Sequence, residues 1–359
     1  MAKRSIVPFG PQHPVLPEPI HLDLVLEDET VVEALPSIGY IHRGLESLVA
    51  KKDFNEMAYV TERICGICSF MHGMGYCSTI EKIMGLEVPE RANYLRTIWC
   101  EMSRLHSHLL WLGLLADAFG FEALFMECWK IREKILDMFE ESTGGRVIFS
   151  VNKIGGVLKD MPAEMLADFM KRLDGMQKEL KKATKVFMND YTVKSRLEGI
   201  GILSKEDAIA CGAVGPMMRA SGIEVDMRKT GYAAYKDIDF QVITSDRCDS
   251  YGRCEVRIGE IFQSIEIIRQ AIAQIPDTEL SVMAKGFPKG EAFVRFEQPR
   301  GEAFYYSRAN GTKNLDRMRV RTPTFANLPS LVKILQGAQY GDVPLLVLTI
   351  DPCISCTER

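Results

Sequence analysis

No apolar run in this chain is long enough to cross a bilayer. The longest with helical character, Leu109 to Ala116, stops at Asp117, far short of the roughly 20 residues a span needs. The segment Met1 to Gly10 holds two basic residues but no long apolar core, so no secretory signal is visible. Positive charge is not in excess either. The net charge is −4 and the pI is near 6.0, which argues against a nucleic-acid partner, because such partners demand a basic surface. No repeat, low-complexity tract or clear linker breaks the 359 residues. These absences predict one domain, residues 1–359, that associates with a membrane only through partner subunits.

What is present fits a globular chain with a real core: 47% apolar and 26% charged residues. Ile20, Leu22, Leu24 and Leu26 alternate with mostly polar neighbours, Glu27-Asp28-Glu29 supplies a turn, and Val31-Val32 resumes. This period of two predicts a small N-terminal β element over about residues 18–36. Before it, the two prolines of Gly10-Pro11-Gln12-His13-Pro14 exclude regular structure. From Pro89 the period becomes helical, with Leu95, Ile98, Met102, Leu105, Leu109 and Leu112 on one face and Pro89 suited to a first helical position. Further helices are expected over Phe119–Glu141, Ala163–Asn189 and Gly259–Ile275, with Lys171–Lys194 as a solvated, mixed-charge face. The run Val343–Ile350, rich in β-branched residues, reads as a buried strand or extended segment delivering Cys353 and Cys356 inward. The expected fold is mainly α (α+β).

Ten cysteines in a large chain without a signal point to metal or redox chemistry rather than a disulfide framework. Four of them form two Cys-x-x-Cys pairs at opposite ends, Cys65/Cys68 and Cys353/Cys356, together a complete first shell for a soft metal. The other six, Cys77, Cys100, Cys128, Cys211, Cys248 and Cys254, are irregularly spaced and read as structural. Structural zinc has the highest general base rate for two such pairs. A Cys-ligated iron–sulfur cluster, a thioredoxin-like dithiol and a nickel thiolate site compete with it. Spacing leaves these open.

The flanking residues narrow the choice. Arg63-Ile64-Cys65-Gly66-Ile67-Cys68 followed by His72, with Asp351-Pro352-Cys353-Ile354-Ser355-Cys356 near the end, resembles the large subunit of nickel–iron hydrogenases. Gly10-Pro11-Gln12-His13-Pro14, His42-Arg43-Gly44-Leu45-Glu46, the block from Phe296 to Glu302 and the block from Arg321 to Leu328 resemble the membrane-bound, energy-converting (Ech-type) branch, related to the 49-kDa-type subunit of respiratory complex I. That relative shares the blocks but lacks the four cysteines and shapes a quinone pocket.

The resemblance implies a helical bundle like the hydrogenase large subunit and a set of roles. Nickel would be held by all four thiolates, Cys65 and Cys353 terminal, with Cys68 and Cys356 bridging to an iron that carries carbon monoxide and two cyanides. His72 would donate a ring N–H to a bridging sulfur. Arg300 would sit over the iron ligands and the open metal position, oriented by Asp117, and Thr324, after Pro323, would donate to a cyanide. Glu18 matches the proton-gate glutamate; Glu46 is the alternative, or a relay or second metal contact. Arg359 stands where many relatives carry a magnesium-binding histidine, which puts a magnesium ion in doubt. With no cluster cysteines of its own, the chain would take electrons from ferredoxin through a small subunit carrying a 4Fe–4S cluster. Integral-membrane subunits would couple turnover to ion translocation and hold the chain on the cytoplasmic side of the membrane. The rival is a non-catalytic, complex-I-like subunit with structural zinc on the two pairs.

Overall fold

The computed structural model describes residues 4–359; Met1 to Lys3 of the N-terminal segment, and of the expected single domain, lie outside them. Three strands open the chain, β1 (Arg4–Phe9), β2 (His21–Glu27) and β3 (Thr30–Ser37), paired antiparallel in that order. Leu22, Leu24 and Leu26 point inward along β2 while their neighbours stay half-exposed, as strand geometry requires of a one-sided sheet. Short helices α1 (Leu45–Ala50) and α2 (Met57–Glu62) lead to α3 (Ser69–Met84), α4 (Glu90–Ala118) and α5 (Glu122–Thr143). A two-residue hairpin, β4 (Asn152–Lys153) and β5 (Gly156–Val157), precedes α6 (Ala163–Asn189), α7 (Tyr191–Leu197), α8 (Lys205–Ala210), α9 (Pro216–Arg219) and α10 (Ser250–Gln274). A second antiparallel sheet follows, β6 (Lys289–Gln298), β7 (Gly301–Asn310) and β8 (Leu315–Arg321), then α11 (Pro323–Leu335), α12 (Val343–Thr349) and α13 (Ile354–Glu358).

Helix α4 is the axis. It is buried on nearly every face and packs against both α5 and α10. A helix buried all round must pair whatever polar groups it carries. Its Glu101 and Arg104 accordingly join a buried ionic cluster with Arg219, Asp226, Arg228, Glu260 and Glu297. Arg104 also donates to the carbonyls of Glu297 at 2.9 Å and Gln298 at 3.2 Å, fixing the end of β6 just before Arg300. Two apolar cores result. The larger gathers α3 to α6 and α10; the smaller fills the space between the N-terminal sheet, α11 and α12. The C-terminal segment runs along their seam, with Cys353 and Cys356 facing the larger core and Ile350 and Ile354 the smaller.

Several expectations need revision. Val343–Thr349 is helical, not a strand: Pro344 suits a first helical turn but would break a strand ladder, and a segment with no strand beside it satisfies its backbone only by helix formation. Pro89 is extended, with ψ 148°, and Glu90 begins the helix. Helix α10 starts nine residues before the expected Gly259, capped by Asp249, whose carboxylate accepts from Gly252 N at 2.8 Å. Arg308, Arg317 and Arg319 lie on the outer side of β7 and β8, with buried residues between them.

Candidate metal centre

The first cysteine pair stands on the threshold of α3. Cys68 is its N-cap residue, and Ile67 N donates to Cys65 Sγ at 3.2 Å. The second pair mirrors it: Asp351 turns the chain with φ 56° after α12, and Cys353 caps α13. A short polar side chain tolerates that left-handed conformation better than most residues. The two turns face each other across the seam. Cys65 Sγ lies 3.3 Å from Cys353 Sγ, and Cys68 Sγ lies 3.3 Å from Cys356 Sγ. The sulfurs of Cys65, Cys68 and Cys356 all fall within 4.8 Å of one another, and Cys353 closes the set from the Cys65 side. None of the four is disulfide-bonded, and all are buried. Hydrogen bonds from Cys353, Cys356 and Cys68 hold the Cys65 thiol well below its ordinary value, whereas burial pushes Cys68 and Cys356 well above theirs. Four clustered soft donors, already sharing charge, fit a thiophilic metal.

The surroundings are polar and directional. His72, one turn into α3, places Nε2 3.3 Å from Cys356 Sγ and Nδ1 2.5 Å from the Tyr305 hydroxyl. Burial pushes His72 down to about 4 and Tyr305 well up. The ring is therefore neutral at pH 7, with Nδ1 on the Tyr305 hydroxyl and Nε2 shared between the Cys356 sulfur and the Gln298 amide nitrogen at 3.4 Å. Arg300 donates from Nε to the Asp351 carbonyl and from Nη2 to its carboxylate, both at 2.8 Å, and from Nη1 to Ser107 Oγ at 3.1 Å. Burial opposes its charge, but Asp351 and the sulfurs of Cys353, Cys65 and Cys68 outweigh burial. Thr324 Oγ1, beside Pro323 in the first turn of α11, accepts from Cys353 N at 3.1 Å and keeps its own hydroxyl hydrogen to donate. The half-buried Glu18 carboxylate accepts from Ile354 N, from Ser355 N at 3.1 Å and from Ser355 Oγ at 2.8 Å, and Ser355 Oγ lies 3.3 Å from Cys353 Sγ. Glu18 also borders a surface cleft of about 560 Å³ formed by residues 11–19.

Known proteins share this chain's fold and sequence along nearly its whole length. Residues 43–117 match the family described as nickel-dependent hydrogenase, and residues 118–287 and 280–359 match that described as respiratory-chain NADH dehydrogenase, 49 Kd subunit. The carbon monoxide-induced hydrogenase of Rhodospirillum rubrum is 37% identical over 98% of this chain and 99% of its own length. The membrane-bound hydrogenase subunit alpha of Pyrococcus furiosus is 36% identical over 98% of this chain and 87% of that one. A chain from the membrane-bound sulfane sulfur reductase, an archaeal respiratory membrane complex, superposes with a TM-score of 0.94 at 30% identity, covering 99% of this chain and 98% of that chain. The chain belongs to the family of membrane-bound hydrogenase large subunits and the related 49-kDa subunits of respiratory complex I. Members of this family are oxidoreductase subunits of membrane complexes. Among the described residues, no helix is long and apolar enough to cross a membrane.

Within this large-subunit fold, two residues singled out in the sequence lie elsewhere. Asp117 is exposed near the end of α4, and the carboxylate on Arg300 is that of Asp351 instead. The error came from placing the partner on an apolar helix, when it sits in the Asp-Pro-Cys block itself. Glu46 is spent on cations: its oxygens accept from Arg359 Nε at 2.9 Å, Arg319 Nη1 at 2.8 Å and Val320 N at 2.8 Å. Burial opposes ionisation of Glu46, but these hydrogen bonds outweigh it and lower its pKa. A magnesium ion does not fit here. It demands an octahedron of oxygens, and this carboxylate already faces two guanidiniums. Ser107, Tyr305, Asp351 and Ser355 are site residues the sequence reading did not single out. Only Asp351 and Ser355 carried a signal, since they belong to the block of the second cysteine pair, Asp351 just before it and Ser355 within it. All six remaining cysteines are free; Cys77, Cys100, Cys128 and Cys254 are buried, and Cys211 and Cys248 are half-buried.

Proposed function

We propose that this chain is the catalytic subunit of a nickel–iron hydrogenase that reversibly reduces protons to hydrogen. The observation that carries the reading is the meeting of four buried sulfurs, paired at 3.3 Å, at the seam of the two cores. Cys65 and Cys353 would be terminal ligands of nickel, and Cys68 and Cys356 would bridge to iron with its carbon monoxide and cyanides. Such a centre supplies the heterolytic splitting of hydrogen and its reverse.

The chain's own residues do the rest. Arg300, clamped by Asp351 and Ser107, holds a fixed positive charge that couples to the sulfurs of Cys353, Cys65 and Cys68; a charge that needs no reorganisation is worth most in a dry site. The His72 N–H supports Cys356, and Thr324 anchors the Cys353 backbone. Protons leave Cys353 by way of the Ser355 hydroxyl to Glu18 and the cleft beyond it. The same four thiolates would also hold structural zinc. A structural ion, however, has no use for a buried, clamped guanidinium whose charge couples to its ligands or for a carboxylate–serine relay. A quinone-pocket role has no use for the four sulfurs. Electrons arrive from reduced ferredoxin through a small 4Fe–4S subunit, and integral-membrane partners supply ion translocation and hold the chain at the cytoplasmic face. The relatives named for hydrogenase activity support this assignment.

Isotope exchange between hydrogen gas and deuterated water by the purified complex tests it. A nickel-loaded wild-type complex exchanges, and Glu18→Gln lowers exchange by about 100-fold or more, the usual worth of a positioned acid–base, with nickel retained. A nickel-loaded wild-type complex that never exchanges overturns the hydrogenase reading. Undiminished exchange in the variant removes Glu18 from the path.

A further inference from the structure

Strand β7 turns one large side chain inward. Of its buried residues Gly301, Ala303, Tyr305, Ser307 and Ala309, only Tyr305 is bulky. The small ones let the sheet close on α3, where Gly75 meets it: a Cβ there would come within 2.4 Å of Phe296 and 3.1 Å of Tyr305. The phenol reaches across this contact to His72. The two rings lie 6.0 Å apart, and the hydroxyl is 2.5 Å from Nδ1. Both residues are fully buried. Among the described residues, Nδ1 and this hydroxyl have only each other as hydrogen-bond partners.

The other edge of the imidazole has two neighbours. Nε2 lies 3.3 Å from Cys356 Sγ and 3.4 Å from Gln298 Nε2. Their demands differ. A half-turn of the amide exchanges its nitrogen and oxygen, so Gln298 suits an Nε2 that donates or one that accepts. A sulfur that holds a metal is a thiolate without a hydrogen of its own, and it can only accept. A bare Nε2 lone pair would face that sulfur in repulsion. The neutral ring has one hydrogen to place, and a metal-loaded site requires it on Nε2. Nδ1 is then a buried acceptor, costly to leave unpaired. The Tyr305 hydroxyl is the one group in reach that can donate to it.

We propose that Tyr305 is a positioning residue of the metal centre: by donating to Nδ1 it fixes the His72 tautomer whose Nε2–H supports the Cys356 sulfur. This rests on the nickel reading above and deepens it with a residue that makes no hydrogen bond to any sulfur itself. A hydrogen bond draws electron density from a thiolate, so its loss makes the sulfur a stronger donor and favours the more oxidised metal. Hydroxyl and shape are separable here, because phenylalanine keeps the ring that packs beside Phe296 and His72.

The test uses the whole purified membrane complex, with nickel content and the midpoint potential of the nickel resonance as readouts. Tyr305→Phe retains nickel and shifts the midpoint negative. His72→Gln supplies an amide N–H that needs no tautomer. Adding Tyr305→Phe to it therefore leaves the midpoint where His72→Gln alone sets it. A nickel-loaded Tyr305→Phe complex with the wild-type midpoint overturns the proposal, and so does an equal shift on the His72→Gln background. If Tyr305→Phe alone loads no nickel, the double variant decides. Restored loading supports the tautomer role, and failure to load overturns it. A wild-type complex without nickel is a different result, because it fells the hydrogenase reading itself.

Discussion

The two Cys-x-x-Cys pairs share a spacing and each meets the start of a helix, yet they are supported in opposite ways. Cys65 and Cys68 lead into the 16 residues of α3, buried along most of its length in the larger core. Cys353 and Cys356 sit on a helix of only 5 residues, too short to persist by itself. That short helix is held from outside. Glu18 takes two of its first N–H groups, Thr324 takes Cys353 N, and Thr322 Oγ1 donates to the Cys356 carbonyl at 3.1 Å. Glu358 accepts from Gly39 N at 2.6 Å and from Ile41 N at 2.5 Å, and Arg359 grips Glu46. The first pair is therefore preformed by local structure. The second closes only when residues from both ends of the chain have met, so the ligands of one centre lie 288 positions apart.

The largest expected effect would erase this contrast. Cys65→Ser and Cys353→Ser should each weaken nickel retention by at least about 100-fold, more than an outer partner is worth, because ligand count does not depend on how a ligand is held. A metal assay in which only one of the two loses nickel would mean that the four sulfurs do not form one shell.

A smaller effect belongs to the first pair alone. Glu62 is buried three residues before Cys65, and burial pushes its carboxyl up to about 7 despite the hydrogen bond from Ser150 N at 2.7 Å. The folded state thus binds more protons than the unfolded one between pH of about 4.5 and about 7. Stability falls as pH rises through that window and stays lowered above it. At roughly 1.4 kcal/mol per unit the full cost is about 3 kcal/mol. Glu62→Gln should raise the melting temperature at pH 8 and have much less effect at pH 5; an equal change at both would show that Glu62 does not titrate there.

Smallest is a change confined to the second pair. Glu358→Gln weakens the grip on Gly39 and Ile41 and should cost about 1–2 kcal/mol. It should speed proteolysis near the C-terminus and nickel release while α3 stays protected in hydrogen exchange. Equal loosening of both pairs would remove the contrast.

The legibility of the sequence follows the same division. Local pattern revealed the N-terminal hairpin, α4 and the expected Ala163–Asn189 helix, which matches α6 residue for residue. It did not reveal α3, where Gly73 and Gly75 look like breakers. They are glycines because a Cβ would come within 2.5 Å of Glu62 Oε1 and 2.4 Å of Phe296. The four cysteines could be read from spacing, and Glu18, His72, Arg300 and Thr324 from resemblance; the structure gathers all of them around the sulfurs. Ser107 and Tyr305 could not be read at all. They arrive from α4 and β7 through tertiary packing, and no spacing along the chain encodes that meeting.

X-ray absorption at the nickel edge of the purified complex tests the central claim most directly. Stoichiometric nickel with four sulfur neighbours is the predicted result. Absence of nickel, with one equivalent of zinc surrounded by four sulfurs at the zinc edge, would contradict it.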